Sequence, residues 1–458
     1  MRWILNILYL LALVLALPFL FIKSRRTGKY RSDWPDRLGR INEGAREKIL
    51  GLSEPGSVAG DATPGMYRIL LHCVSVGELL SMRRLMDELL RRDPLTQIIL
   101  STTTDTGFAR AMDLYGWQAD SRVVPVRYPL DLSFAVDRFL NTVSPHLIVL
   151  VELETWPNFV FAAHRRGIPL RIINGRLTAR SLRRYRLVRP VIAVMFKKVE
   201  HFGVQTSAIA QRFIALGAPP DRVEVIPTVK YDAADFSDQV PGMAELARAV
   251  GIQGNHQVFV GGSTGPGEEE ILLQVYQTLS SVWPNLRLAI APRKPEVVAQ
   301  VHAAIEARGL HAVHRSTHPD GGTAQVMTAR DVLLLDTMGE LKKLYGVAMG
   351  VFSGRSLVKL GGSDMIEVAA MAKPVCFGPH TFNFAEAVDT LTAADAAVEV
   401  HDESQLRATV SHWLSNPAKA SEMGHRGRTC LENLRGSTTR YASDIVARLR
   451  TAASPHRS

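Results

Sequence analysis

Cysteine is scarce in this sequence. Only three cysteines, Cys73, Cys376 and Cys430, occur among 458 residues, and they lie far apart. They form no CxxC pair and indicate no disulfide framework, which is typical of a protein from a reducing compartment.

Several nucleotide and metal signatures are also missing. The sequence contains neither a GxxxxGK[ST] loop nor a GxGxxG turn, which disfavours ATP hydrolysis and dinucleotide redox chemistry. It has no Asp-x-Asp pair and no cluster of His, Cys and Asp at metal-ligand spacing. These absences leave open the metal-independent glycosyltransferases, in which helix N-termini and basic side chains stabilise the phosphate charge.

The composition is that of a folded protein with more than one domain. Apolar residues make up 46% of the chain and charged residues 21%. Both values are close to the globular average, which excludes a disordered, collagen-like or polytopic membrane protein. A length of 458 residues allows two or three domains of about 150 residues each.

Positive charge is concentrated in two segments. Residues 1–50 carry ten Lys and Arg against four acidic residues, which accounts for six of the ten net positive charges. Residues 165–198 carry eleven Lys and Arg and no acid. Such a run can be an ordinary solvated face. Nucleic acid is not expected as a partner, because zinc-finger spacing and RNP-type aromatic motifs are absent. A membrane surface or a phosphorylated substrate fits better.

The segment Trp3–Ile22 predicts an N-terminal membrane anchor. Its twenty residues contain no charge, and a helix of that length spans the hydrocarbon core of about 30 Å. A cleaved signal peptide is the alternative, but Arg2 is the only early charge and the run ends in bulky residues. We therefore expect residues 1–22 to be an uncleaved transmembrane helix.

Five basic residues follow this run directly: Lys23, Arg25, Arg26, Lys29 and Arg31. The positive-inside rule then places the rest of the chain in the cytoplasm, on the inner membrane. The same cluster is expected to be attracted to anionic lipid headgroups.

The remaining sequence alternates short apolar runs with helical patterns. The first series of strand-like runs is Ile69–Val74, Gln97–Ser101, Leu147–Val151, Leu170–Ile173 and Val223–Ile226. The second series is Val258–Val260, Leu286–Ile290, Val332–Leu335, Val347–Val351 and Val375–Phe377. This alternation predicts an α/β fold of two Rossmann-like domains with parallel sheets, at residues 23–235 and 236–458. Ligands are expected beyond the carboxyl ends of the strands.

Carboxylates occupy two of the turns that follow predicted strands. Glu78 falls in the first turn of a helix, a position that acidic residues also favour for purely structural reasons. Glu152 and Glu154 follow a buried run, and their spacing of two predicts that both lie on one strand face. These side chains are the first candidates for acid–base chemistry.

Seven segments, taken in order, resemble the 3-deoxy-D-manno-octulosonic acid (Kdo) transferase family. They are Ser75–Glu78, Glu152–Asn158, Asn174–Ser181, Gly261–Glu270, Ala291–Glu296, Asp336–Leu341 and Lys373–Glu386. The resemblance runs in register from the anchor to about residue 390. It implies a GT-B glycosyltransferase with an N-terminal acceptor domain, a C-terminal donor domain and a cleft between them.

The resemblance also implies roles for individual residues. Glu78 corresponds to the general base, and Glu152 and Lys230 to a pair that stabilises the transition state. The donor-binding positions are Ser263, Pro292, Arg293, Met338, Gly339, Glu340, Asp364, Met365, Ile366 and Glu367. The implied reaction is inverting transfer of Kdo from CMP-Kdo to the lipid A precursor, lipid IVA, without a cofactor or metal.

The chain departs from the family pattern near the predicted donor site. Gly265 stands where the family usually carries histidine, and Ser363–Ile366 replaces His-Asn-Pro-Leu. Pro227-Thr228 replaces Gly-Asn before Lys230. These departures leave open a related transferase that uses another nucleotide sugar. A lipid-binding relic of the fold without activity is a second alternative, against which the presence of Glu78, Glu152 and Arg293 together argues.

Overall fold

The computed structural model describes residues 33–51, 66–116, 121–237, 239–322 and 324–453. The predicted anchor at residues 1–22 lies outside these ranges. Among the residues described, no helix has the length and apolar character needed to cross a bilayer. The chain divides into two units. One contains the described residues up to Ala233 together with those from Gly436 onward, and the other spans Ala234–Arg435.

The first unit is built on a seven-stranded sheet in the order β3-β2-β1-β4-β5-β6-β7, and every neighbouring pair is parallel. The strands are β1 (Tyr67–His72), β2 (Thr96–Thr102), β3 (Val123–Arg127), β4 (Leu147–Val151), β5 (Leu170–Gly175), β6 (His201–Val204) and β7 (Val223–Val225). β2, β3 and β4 are buried along their whole length, as expected for a parallel sheet covered on both faces.

Helices flank this sheet. They span Trp34–Arg37, Glu43–Leu50, Val76–Arg92, Asp105–Ala111, Ser133–Val143, Pro157–Arg165, Ala179–Tyr185, Arg189–Phe196, Ser207–Leu216, Lys230–Ala233 and Ser437–Ala453. Apolar residues at helical spacing bury one side of Val76–Arg92, namely Leu79, Met82, Leu85, Met86 and Leu89. This side packs with Ile69 and Leu71 of β1 in one hydrophobic cluster.

The second unit repeats the architecture with a seven-stranded parallel sheet in the order β10-β11-β9-β8-β12-β13-β14. The strands are β8 (Gln257–Thr264), β9 (Leu286–Pro292), β10 (His311–His314), β11 (Asp331–Leu334), β12 (Ala348–Ser353), β13 (Val375–Phe377) and β14 (Ala397–Glu399). The helices span Met243–Ala249, Glu268–Ser280, Val298–Glu306, Leu341–Val347, Ile366–Ala370, Ala385–Ala393, Glu403–Ser415 and Pro417–Asn433.

The prediction of parallel α/β units is confirmed, and ten of the strands coincide with the predicted runs. Four strands were not predicted: β3, β6, β10 and β14. In both sheets the strand order reverses at the first strand of the unit. β1 lies between β2 and β4, and β8 lies between β9 and β12. Ligands of such sheets bind at this switch point, beyond the carboxyl ends of the strands.

The last helix requires a correction to the predicted domain division. Residues 436–458 were assigned to the second domain, but the helix Ser437–Ala453 belongs to the first unit. The carboxylate of Asp232 accepts hydrogen bonds from the backbone N–H groups of Gly436 (2.6 Å) and Thr438 (2.5 Å) at its N-terminus. Tyr441, Ile445 and Leu449 are fully buried in the same hydrophobic cluster as β1, which explains why the chain returns.

Candidate active site

The first group of candidate residues lies at the switch point of the first sheet. β1 ends at His72 and β4 ends at Val151, and the two strands are neighbours. The turns that carry Glu78 and Glu152 therefore emerge at the same edge of the sheet. Burial raises the pKa of the Cys73 thiol, and the charges of Glu78 and Glu152 raise it further. The structure thus brings these two predicted carboxylates into electrostatic range of each other.

Glu78 is held at the N-terminus of the helix Val76–Arg92. Its Oε2 accepts a hydrogen bond from the backbone N–H of Val74 (2.9 Å), and its Oε1 accepts one from the Ser75 hydroxyl (2.9 Å). Ser75 is the N-cap residue, and its Oγ lies 3.5 Å from the Glu78 backbone nitrogen. The pair has the S-x-x-E pattern of a capping box. Cap geometry therefore fixes the position of the carboxylate.

The pKa of Glu78 is higher than its role in helix capping requires. Burial raises its pKa to about 7, and the nearby charges of Glu152 and Glu154 raise it as well, while the hydrogen bonds from Val74 and Ser75 oppose the shift. A carboxyl group with a pKa near 7 is divided between its protonated and charged forms at neutral pH. That is the property expected of a general base or acid.

Glu152 occupies an unusual backbone conformation. Its φ is +62°, in the left-handed region, and its N–H donates to the Ile173 carbonyl oxygen (3.0 Å). Strain of this kind costs on the order of 1 kcal/mol or more and clusters at functional sites. The prediction that Glu152 and Glu154 share a strand face is wrong, because β4 ends at Val151 and both glutamates lie in the following turn. Burial raises the pKa of Glu154, whose Oε2 accepts from Trp156 Nε1 (3.1 Å).

Lys230 begins the short helix Lys230–Ala233 of the same unit. Its side chain is half-buried. The preceding residue, Val229, is buried in the hydrophobic cluster that also contains Cys73 and Val151. The turn with Lys230 is therefore packed against the residues that precede Glu78 and Glu152. The specific pairing of Lys230 with Glu152 stays a prediction.

The second group of candidates lies at the switch point of the second sheet. Ser263 has a left-handed φ of +52° near the end of β8, and its carbonyl oxygen accepts from the Ser363 hydroxyl (3.2 Å). Gly262 has no room for a side chain, because a Cβ there would lie 2.3 Å from the Tyr345 hydroxyl oxygen. The turn after β8 is thus joined by a hydrogen bond to Ser363, which begins the segment Ser363–Glu367.

The charges of three predicted residues, Glu367, Asp364 and Arg293, act on Tyr345. Burial raises the pKa of this tyrosine, the charges of Glu367 and Asp364 raise it further, and Arg293 opposes the shift. Burial and Asp364 also raise the pKa of Glu367, whose Oε1 lies 3.6 Å from Lys342 Nζ. The exposed guanidinium of Arg293 forms no hydrogen bond or ion pair with any described residue. Arg293 is therefore available to an anionic ligand.

Two of the predicted donor contacts are restricted to backbone atoms. Met365 and Ile366 are buried, so their side chains pack in the interior of the unit. The Asp364 carboxylate accepts a hydrogen bond from the Ile366 N–H (3.0 Å) and fixes the start of the helix Ile366–Ala370. Pro292 ends β9, and the backbone N–H of Arg293 donates to Thr264 (3.2 Å).

The segment Met338–Glu340 is held by a residue that sequence reasoning missed. The buried Arg315 donates to Glu340 Oε1 (2.9 Å), and Lys343 Nζ lies 3.0 Å from the same oxygen. Thr337 donates to Glu340 Oε2 (2.5 Å). Burial opposes the ionisation of Glu340, but these three hydrogen bonds hold its pKa at about 2. Glu340 therefore supports the loop, on which the side chain of Met338 is 81% exposed.

Glu268 is a second residue that the sequence did not single out for a role. Its fully buried carboxylate accepts four backbone N–H groups from two loops. The donors are those of Gly265 (2.8 Å), Arg355 (2.5 Å), Ser356 (2.8 Å) and Leu357 (2.9 Å). The turns after β8 and β12 are thereby joined by one carboxylate. In the sequence, Glu268 stands out only as part of the segment Gly261–Glu270, at the acidic start of a helix.

The described residues contain no group of three or more His, Cys, Asp and Glu that could hold a metal ion.

Comparison with known proteins identifies the family. Residues 32–233 match the family model described as 3-Deoxy-D-manno-octulosonic-acid transferase (kdotransferase). The 3-deoxy-D-manno-octulosonic acid transferase of Haemophilus influenzae is 32% identical over 393 residues, which cover 85% of this chain and 89% of that protein.

Solved structures support the fold alone. A glycosyltransferase from Rickettsia africae matches with a TM-score of 0.56 at 11% identity, covering 85% of this chain and 99% of that one. The UDP-GlcNAc 2-epimerase of Neisseria meningitidis matches with a TM-score of 0.56 at 16% identity, covering 84% and 100%. The two Rossmann-like units resemble those of GT-B glycosyltransferases. From its sequence similarity, the chain belongs to the 3-deoxy-D-manno-octulosonic acid transferase family and is a glycosyltransferase.

Proposed function

We propose that this enzyme transfers one or more Kdo units from CMP-Kdo to lipid IVA, with inversion at the anomeric carbon and without a metal ion. The observation that carries the proposal is the Glu78 carboxylate. It lies at the switch point of the first sheet with a pKa near 7, beside Glu152 and Glu154. Membership of the Kdo transferase family supports Kdo as the transferred sugar. The Glu78 carboxylate can act as the base in a single displacement.

Glu78 acts as the general base. The acceptor is a sugar hydroxyl, which is a weak nucleophile until it loses its proton. As the bond from the acceptor oxygen to the anomeric carbon forms, the bond to the CMP phosphate breaks and the proton passes to Glu78. One displacement inverts the configuration, so one carboxylate base is sufficient. The negative charge of Glu152 favours the oxocarbenium character of the anomeric carbon in the transition state.

Basic side chains and backbone N–H groups bind the leaving phosphate. CMP departs as a phosphate monoester and gains negative charge, which Arg293 and Lys230 stabilise by charge-assisted hydrogen bonds. The free guanidinium of Arg293 supports this role. Glu367, at the same edge, accepts hydrogen bonds from the ribose hydroxyls.

The acceptor-binding unit lies on the membrane. Residues 183–191 are all exposed, and they combine basic and apolar side chains. Leu187 is 86% exposed and Val188 50%, next to Arg183, Arg184 and Arg186, which form no ion pair with the described carboxylates. Such a surface binds anionic headgroups with its arginines and the acyl boundary with its apolar residues.

The site of action is the cytoplasmic face of the inner membrane. This part of the proposal rests on the sequence of residues 1–31, in which an uncharged run of twenty residues precedes a basic cluster. A lipid acceptor remains in the bilayer, so an anchored enzyme meets it without diffusing away from the surface.

The direct test is to incubate the full chain with CMP-Kdo and lipid IVA and to determine the mass of the product. We expect an increase by one or more Kdo residues. A panel of nucleotide sugars run in parallel separates this donor from the alternative of another nucleotide sugar. Turnover with another donor but none with CMP-Kdo would overturn the proposed donor, and the absence of all turnover would favour a lipid-binding relic.

A further inference from the structure

Gly265 and Arg355 are neighbours at the switch point of the second sheet. Gly265 follows β8 and Arg355 follows β12, the adjacent strand. A Cβ built on Gly265 would lie 3.3 Å from Cγ of Arg355 and 3.0 Å from Cδ1 of Leu360. The loop after β12 therefore fills the space beside position 265, where the family usually carries a histidine.

The backbone of Arg355 is strained. Its φ is +59°, a conformation that glycine adopts freely and that other residues rarely adopt. The surrounding structure holds it there, because its N–H donates to Glu268 (2.5 Å) and its carbonyl oxygen accepts from Gly362 (2.8 Å). Backbone strain at a residue other than glycine is found most often at functional sites, so the strain at Arg355 indicates a function for its side chain.

Most of the N–H donors of the Arg355 side chain form no hydrogen bond within the described residues. One of its N–H groups donates to the Leu360 carbonyl oxygen (3.2 Å), which bends the side chain back over its own loop. It forms no ion pair with any carboxylate in the described part of the chain. A guanidinium carries five N–H donors in a plane and binds phosphate oxygens in a bidentate manner. Arg355 and Arg293 are thus two unpaired cations at the carboxyl ends of β12 and β9.

We propose that Arg355 binds the phosphate of the donor nucleotide, and that its guanidinium takes the place of the side chain missing at Gly265. This assignment rests on the proposed use of CMP-Kdo. It makes Arg355 a donor-binding residue in addition to Arg293. It also gives the departure at Gly265 a physical meaning: the positive group is supplied by the loop after β12 instead of by the turn after β8.

The test uses two variants of the full chain that separate charge from backbone strain. Arg355→Gln keeps a polar side chain and the φ strain but loses the charge, whereas Arg355→Gly removes the side chain and relieves the strain. We expect both to weaken CMP binding by about 10- to 100-fold, the usual effect of losing a charge-assisted hydrogen bond. Inhibition by cytidine, which lacks the phosphate, should be unchanged. Thermal unfolding of Arg355→Gly should occur at the wild-type temperature or higher.

Asp395→Gly is the matched control. Asp395 also has a positive φ (+49°), and it precedes β14 at the opposite edge of the sheet. This variant should bind CMP as the wild type does. Arg355→Lys keeps a cation and should lie between the wild type and Arg355→Gln.

Three results would overturn the assignment. Wild-type CMP affinity in both Arg355 variants would show that the guanidinium does not meet the phosphate. Equal losses for CMP and cytidine would show that Arg355 only shapes the pocket. A wild-type chain that binds no CMP would refute the proposed donor, and with it the role of Arg355. A wild-type chain that binds CMP, together with variants of unchanged affinity, would refute the role of Arg355 alone.

Discussion

The Ser75 hydroxyl donates a hydrogen bond to Oε1 of Glu78 across 2.9 Å. This bond stabilises the charged carboxylate against the burial that raises its pKa to about 7. A general base works in its deprotonated form, so kcat/KM should rise with pH through about 7. Ser75→Ala removes the stabilisation and should move this limb of the pH profile upward by about 0.5–1 unit, the equivalent of one hydrogen bond of about 1 kcal/mol.

Ser81→Ala serves as the control for this first prediction. The Ser81 hydroxyl donates to the backbone carbonyl of Glu78 (2.7 Å) and not to its carboxylate. The variant should keep the wild-type pH profile. A profile that moves to lower pH in Ser75→Ala would contradict the assignment of Glu78 as the titrating base.

The second prediction is that Glu78→Gln lowers kcat by about 10²–10⁴-fold, because the base is lost. Binding of CMP should be unchanged, since Glu78 is proposed to act on the acceptor hydroxyl and not on the nucleotide. Glu88→Gln is the matched control, because Glu88 lies on the same helix and pairs with the exposed Arg91. A folded Glu78→Gln protein with near-normal kcat would remove Glu78 from this role.

The third prediction concerns Arg293. Its guanidinium has no partner among the described residues, so removing it leaves no protein group unpaired. Arg293→Ala should raise the KM for donor by about 10- to 150-fold, the equivalent of about 1.5–3 kcal/mol, and change the KM for acceptor little. Thermal unfolding should stay at the wild-type temperature. A change in the KM for acceptor alone would show that Arg293 acts on the acceptor and not on the donor.

The fourth prediction is metal independence. In the proposed mechanism, basic side chains and backbone N–H groups stabilise the negative charge of the phosphate. Turnover should therefore continue in the presence of EDTA after bound metal has been removed. The measurement compares initial rates with EDTA, with added Mg²⁺ and with added Mn²⁺. Activity that depends strictly on either ion would require a different account of the leaving group.

The fifth prediction concerns the exposed segment at residues 183–191. Reversing Arg183, Arg184 and Arg186 to Glu should abolish salt-sensitive binding to anionic vesicles by a chain that lacks residues 1–22. Each basic residue near an anionic surface contributes about 1 kcal/mol. The same variant should raise the KM for acceptor in detergent and leave the KM for donor unchanged.

A control with the same charge change is available in the second unit, where Arg248, Arg330 and Lys419 are exposed. Their reversal to Glu should leave vesicle binding and acceptor kinetics near those of the parent chain. If both triple variants behave alike, net charge explains the binding, and the segment is an ordinary solvated face.

Most of the strands that the sequence predicted have strong apolar runs. β4 (Leu147–Val151) is apolar throughout and was predicted to the residue. The missed strands carry weaker signals. β14 has three residues, β10 begins and ends with histidine, and β3 contains Pro125, which is tolerated because β3 is an edge strand.

The site was predictable where one short segment carries the chemistry. Glu78 and Ser75 are three residues apart, so their turn could be recognised from the sequence. Glu268 and Ser356 are 88 residues apart, and the contact between them depends on the sheet order, which no local pattern contains. Arg315 was missed for the same reason, since its partner Glu340 lies 25 residues away.

The return of the chain through Gly436 has a consequence for biosynthesis. Because Asp232 caps a helix that begins more than 200 residues later, the first unit is interrupted in the sequence by the whole of the second. During translation the second unit is complete before Tyr441, Ile445 and Leu449 have been synthesised. Until then, the apolar side of the helix Val76–Arg92 and β1 lack part of their cover. The unit that starts first therefore finishes folding last, and a chain stopped near residue 435 would contain one whole domain and one incomplete one.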